Sequence, residues 1–168
     1  MTENTAADIT ISKDLTLELG GFTLTNTNAG KATITVTDGA IVTVKNGSVV
    51  GGTGYYNIQV GTAVNSTADL TLEGVTATAG NTGSSMIDNW GTLTITSGTY
   101  TGGLNVVKSE EGSTLTISGG TFTLEKAGSY TAVVLSAGKT LITDGEFIQS
   151  ATGRWENSYP VVVRVVDG

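Results

Sequence analysis

The sequence predicts an all-β solenoid, a parallel β-helix of about six coils of 22–27 residues, and three observations predict it. First, the chain repeats itself: "GTLTITSGTY" at residues 91–100 returns as "STLTISGGTF" at 113–122. An echo at near-fixed period is the mark of one structural unit stacked on copies of itself. Second, the repeated stretches alternate apolar and threonine with a period of two, which is the pattern of strands with one face buried. Third, 24 glycines, a single proline and abundant Thr and Val make a strand-and-turn composition with little helical content.

The elements follow in order along the chain. Residues 1–7 read as a polar lead, and residues 8–168 as the solenoid. A Gly followed two positions later by a variable, often aromatic residue recurs as Gly20/Phe22, Gly47/Val49, Gly74/Thr76, Gly98/Tyr100, Gly120/Phe122 and Gly145/Phe147, with spacings of 27, 27, 24, 22 and 25 residues. Before most of these anchors stands an apolar-Thr-apolar triplet: Leu15–Leu17, Val42–Val44, Leu70–Leu72, Leu93–Ile95 and Leu115–Ile117. The sixth copy, "TLITDGEF", keeps the Gly and Phe and breaks the triplet. A further strand precedes each triplet, in "DITI", "ATITV", "NIQV", "SMI", "NVV" and "AVVL", and "VVVRVV" from Val161 closes the series. Each unit therefore reads strand, turn, strand, glycine corner, short strand and variable loop. Hairpins and sandwiches rarely keep so constant a period. In a solenoid equivalent residues stack in rows about 4.8 Å apart, which makes six coils a rod roughly 30 Å long. The expected rows are the triplet aliphatics and, after the corner, Phe22, Tyr100, Phe122 and Phe147.

Composition narrows the chemistry. Histidine and cysteine are both absent, which removes the usual proton shuttle near neutral pH, the thiolate nucleophile and the commonest transition-metal ligands. The chain is expected to carry no cofactor and no metal. A net charge of -7 with no Lys/Arg cluster repels a phosphate backbone, so nucleic acid and anionic membrane are poor partners. The start "MTENTAADITI" has neither the basic nor the apolar region of a secretory signal, and no run reaches transmembrane length. Synthesis in a cytoplasm without classical export is the expectation.

The best acidic pair is Asp88 and Glu110, each ten residues before an anchor glycine. Equal offsets place them facing each other across one coil step, with Asn89 and Glu111 beside them and Lys108 as the one close base. A polysaccharide lyase or hydrolase of this kind needs acids in the same row of neighbouring coils; the competing reading is a solvated turn between two strands. Aromatic side chains outside the stacked rows, namely Tyr55, Tyr56, Trp90, Tyr130, Trp155 and Tyr159, are the candidate ligand-binding residues, since exposed rings stack on sugar faces and anchor interfaces. Packing within their own loops is the competing reading. The outward threonines Thr16, Thr43, Thr71, Thr94 and Thr116 form a ladder of the kind some ice-binding solenoids use, but coil lengths of 22–27 argue against a flat lattice match.

The pattern "DLTLELGGFTLTNT…ITVTDGAIVTVKNGSVVGG…LTITSGTYTGG…LTISGGTF" resembles the right-handed parallel β-helices of the pectin-lyase-like superfamily. More narrowly, it is similar to the Gly/Thr-rich repeats of surface proteins of Gram-positive gut bacteria and virion proteins of their phages. The resemblance covers about residues 8–168 and implies a single-stranded, right-handed parallel β-helix. It implies three function classes. The first is a non-enzymatic structural or adhesive component of a phage virion surface, a head fibre, decoration protein or tail-spike segment that binds host or mucosal glycans. The second is a bacterial cell-surface adhesin segment, extracellular in place, and the third a polysaccharide lyase or hydrolase. The absent His and scarce Arg weigh against the third, while a rigid rod with no catalytic set, uncapped ends suited to assembly and a Met start without a signal lead to the expectation of the first. Apolar terminal strands without a visible cap, "PVVVRVVDG" above all, lead to the expectation of a homo-oligomer, a trimer by analogy with β-helical fibres, or of contact with other virion proteins.

Overall fold

The computed structural model describes residues 1–125, 131–149 and 162–165. Among the described residues there is no helix, and the strands wind into a parallel β-solenoid of about six turns. The first coil holds β1 (Thr5–Ala6), β2 (Ile9–Ile11), β3 (Leu15–Glu18) and β4 (Thr23–Thr25). The second holds β5 (Ile34–Val36) and β6 (Ile41–Val50), and the third β7 (Ile58–Val60) and β8 (Asp69–Thr78). The fourth holds β9 (Ile87–Asn89), β10 (Thr92–Ile95) and β11 (Gly98–Thr101). The fifth holds β12 (Val107–Ser109) and β13 (Thr114–Leu124), the sixth β14 (Val134–Ser136) and β15 (Lys139–Gln149), and β16 (Val163–Val165) follows.

Two sheets result, both wholly parallel. A seven-stranded sheet takes the short strands β2, β5, β7, β9, β12, β14 and β16 in chain order. The other nine strands make the long sheet. Because each coil repeats the path of the last, like residues meet: Ile9, Ile34, Ile58, Ile87, Val107, Val134 and Val163 form one row of the short-strand sheet. The triplets align in the long sheet as Leu17, Val44, Leu72, Ile95, Ile117 and Ile142, with Thr16, Thr43, Thr71, Thr94 and Thr116 in step on the outer face. In the sixth coil Leu141 takes the threonine's place and stands exposed. The aliphatic rows of both sheets converge on one continuous core, and each fully buried Val, Leu or Ile contributes roughly 1.5–3 kcal/mol.

The corner differs in detail from the expectation. In four of the coils the two strands flanking it are one bent strand of ten or eleven residues: β6, β8, β13 and β15. Gly47 and Gly98 both stand opposite Val75, not Gly74. Gly74, at φ 61°, instead matches Asn46, at φ 56°: both supply the left-handed residue that bends the strand. The row after the corner is accordingly Leu24, Val49, Ala77, Tyr100, Phe122 and Phe147. Phe22 is not in it. The turn at Gly20-Gly21 sends Leu19 into the core and leaves Phe22 half-buried, so Leu24 arrives in register with Val49. The three rings that do stack lie 4.9 and 5.0 Å apart at interplanar angles of 11° and 8°.

Residues 1–7, expected as a polar lead, contribute β1, which pairs with β4. The Asn4 side-chain carbonyl accepts a hydrogen bond from the Thr23 amide at 2.9 Å, and Met1 packs against the core.

Candidate functional site

The outer face of the short-strand sheet is one place where the coils stop resembling one another. Its central outward row reads Thr10, Thr35, Gln59, Asp88, Lys108, Leu135 and Arg164, one residue from each strand. No two neighbours after Thr35 are alike. Just past the strand ends, backbone hydrogen bonds to the preceding coil stack Gly61, Trp90, Glu110 and Ala137 in the same way. Asp88 and Trp90 in one coil therefore sit over Lys108 and Glu110 in the next, each pair two residues apart along its strand and on the same side of the sheet.

The four side chains close on each other. Trp90 Nε1 donates to Asp88 Oδ2 at 2.8 Å, and the Lys108 ammonium pairs with the Glu110 carboxylate. Sequence offsets alone placed Asp88 opposite Glu110; in the structure Asp88 is opposite Lys108, with Glu110 on the diagonal. The reason is a turn that is two residues longer between Val107 and Leu115 than between Ile87 and Leu93, which shifts offsets counted back from the glycine corner. The solvated-turn reading of Asp88 is corrected too. Asp88 lies within β9 and is 0 % exposed, its Oδ1 sealed from solvent without a hydrogen-bond partner.

Burial dominates the electrostatics. Desolvation pushes the Asp88 carboxyl up to about 6; the Trp90 N–H and Lys108 ammonium act against it, and the negative Glu110 adds to it. Tyr56, from the loop before β7, reaches the same spot. Its phenol is pushed up to about 12, first by burial and then by the fields of Asp88, Tyr55 and Glu110. The Tyr55 and Tyr56 rings touch, with centroids 4.6 Å apart and planes at 60°.

Beside this cluster opens a shallow cavity of about 300 Å³, lined by Tyr56, Gly83, Ser84, Ser85, Leu104, Asn105, Lys108 and Leu135. Its floor is fixed by hydrogen bonds between coils: Asn105 Nδ2 donates to Ser85 Oγ at 3.1 Å, and Asn105 Oδ1 accepts from the Ala132 amide at 2.8 Å. Among the candidate aromatics, then, Tyr55, Tyr56 and Trp90 gather at one place together with Asp88 and Glu110. Tyr130, Trp155 and Tyr159 lie outside the described residues. The cavity's Ser84, Ser85, Leu104, Asn105 and Leu135 escape sequence reasoning, because each reads as an ordinary strand or turn residue. The one available signal was the i, i+2 pairing of Asp88 with Trp90 and of Lys108 with Glu110.

Among the described residues no group of three or more acidic side chains is placed to hold a metal ion. No family model, no curated protein and no solved structure matches this chain.

Proposed function

We propose that this protein is a non-enzymatic structural and adhesive rod, a surface component of a phage virion of the fibre or decoration type, built as a β-helix of the pectin-lyase-like kind and contacting glycans through its short-strand sheet. The observation that carries the reading is the contrast between faces. The long sheet repeats the same outward threonine for five coils, which suits a stiff spacer. The short-strand sheet departs from repetition at Asp88, Trp90, Lys108 and Glu110, and departures from a repeat are where a stacked protein carries recognition.

The acids themselves favour binding over cleavage. A glycosidase needs one carboxyl that meets the glycosidic oxygen and a second that meets the anomeric carbon or its attacking water. Here Asp88 is sealed beneath its neighbours and Glu110 is engaged by Lys108. Mass spectrometry of purified phage particles tests the assignment: the chain recovered at fixed stoichiometry with capsid proteins supports it. Recovery from cell-wall fractions of uninfected bacteria replaces it with the adhesin reading.

A further inference from the structure

The cavity beside the acidic pair is more selective than a general adhesive face. We infer that it is a subsite for one pyranose ring of an uncharged glycan, with Tyr56 as the stacking wall. This deepens the glycan-contact reading above and rests on it.

Size comes first. At about 300 Å³ the cavity stands at the small end of ligand sites, so it takes a single ring with a neighbour projecting out, not a chain laid lengthwise. Its lining is divided by chemistry. Tyr56, Leu104 and Leu135 offer apolar surface, and Ser84, Ser85, Asn105 and Lys108 offer polar groups. A pyranose presents the matching pair of surfaces, a C–H face that packs on an aromatic ring and an equator of hydroxyls. The polar side is held before any ligand arrives. Asn105 spends one amide hydrogen on Ser85 and its carbonyl on Ala132, which leaves its second amide hydrogen and the Ser85 hydroxyl hydrogen for a ligand oxygen.

Charge selects within the sugars. Lys108 is the cation of the lining, and the Glu110 carboxylate already neutralises it. Asp88 and Glu110 lie close enough to act on Tyr56 through their fields, and the chain as a whole carries -7. A uronate or sialate entering here finds the one ammonium of the lining already paired and enters the field of the carboxyls behind Tyr56, whereas an uncharged ring meets no such penalty.

The test uses the full chain with cellotriose, maltotriose and chitotriose as neutral probes and trigalacturonate and 3′-sialyllactose as acidic ones. Amide shifts in two-dimensional NMR are followed during titration. The expected result is saturable movement of the Gly83–Ser85, Leu104 and Leu135 signals with at least one neutral probe and none with the acidic pair. Tyr56→Ala is expected to weaken that binding at least tenfold, and Tyr56→Phe to keep it within threefold, because stacking needs the ring and not the hydroxyl. Binding of acidic probes alone, shifts confined to other faces, or no shift with any neutral probe overturns the inference. The wild-type shift map needs no variant to fold. A chain absent from virions that still binds a neutral probe here retires the virion assignment and leaves the subsite standing; a virion protein that binds none does the reverse.

Discussion

Asp88 is a carboxyl held where water cannot reach it, and its protonation links it to the stability of the whole coil. In the unfolded chain it loses its proton near the ordinary value of 3.8, and in the folded one at about 6. Between those values the native state holds a proton that the unfolded state has released, so stability falls as pH rises through the window and the loss is complete above it. Asp88→Asn keeps an oxygen to accept the Trp90 N–H and needs no charge buried. It is expected to raise stability by about 1–3 kcal/mol at pH 7. Urea unfolding at pH 4 and pH 7 checks this: the wild type loses stability between the two, and the variant does not from this source. Gly98 is a second residue whose identity is forced. Its φ is 124°, and a Cβ there would lie 2.2 Å from the Val75 carbonyl oxygen. Gly98→Ala must therefore shift the backbone of the coil below, and is expected to lower stability by roughly 1–3 kcal/mol in the same assay.

At the scale of strands and rows, the aromatic stack joins three coils through ring faces. Phe122 sits in its middle, fully buried between Tyr100 and Phe147. Phe122→Ala is expected to remove about 3–5 kcal/mol, read as a lower thermal midpoint and as loss of amide protection in β11, β13 and β15 together. The stack was legible in the sequence because a Gly followed two residues later by a ring recurs in three successive coils. Its continuation into the first coils was not legible: the Gly20-Gly21 turn and the one-residue offset at Gly74 change which residue arrives at the row, and only hydrogen-bond register decides that. The same holds for the candidate site. The acids and the aromatic rings were visible as residue types, and their neighbourhood was correctly sought in adjacent coils. Their pairing depended on the length of the turn before Thr114, which spacing from the glycine corner cannot separate from the strands themselves. The cavity was invisible because its lining comes from the loops before β7, β9 and β12 and from β12 and β14 themselves, four coils whose contacts are settled by packing.

For the whole molecule, the spread of repeat lengths from 22 to 27 residues is absorbed outside the sheets. Rows in the long sheet stay in step through coils of unequal length, and the surplus goes into turns such as 61–68 and loops such as 51–57. Coil length therefore does not argue against a regular threonine face, as it was expected to do from the sequence. The arrangement also predicts tolerance. Six Gly/Ser residues inserted between Thr62 and Ala63, both exposed, are expected to lower stability by less than about 1 kcal/mol, since loop closure grows only logarithmically with length. A single residue inserted after Thr71 would flip the remaining side chains of β8 to the opposite face, and is expected to abolish cooperative unfolding in calorimetry.

That division of labour makes the solenoid a display scaffold with a fixed pitch. Successive turns emerge about 4.8 Å apart along one side, and their sequence is decoupled from the frame that spaces them. Peptides grafted at 62–65 and between Glu111 and Gly112, all exposed, would be presented at a set separation and orientation, so what this side exhibits can be exchanged without altering the frame that folds.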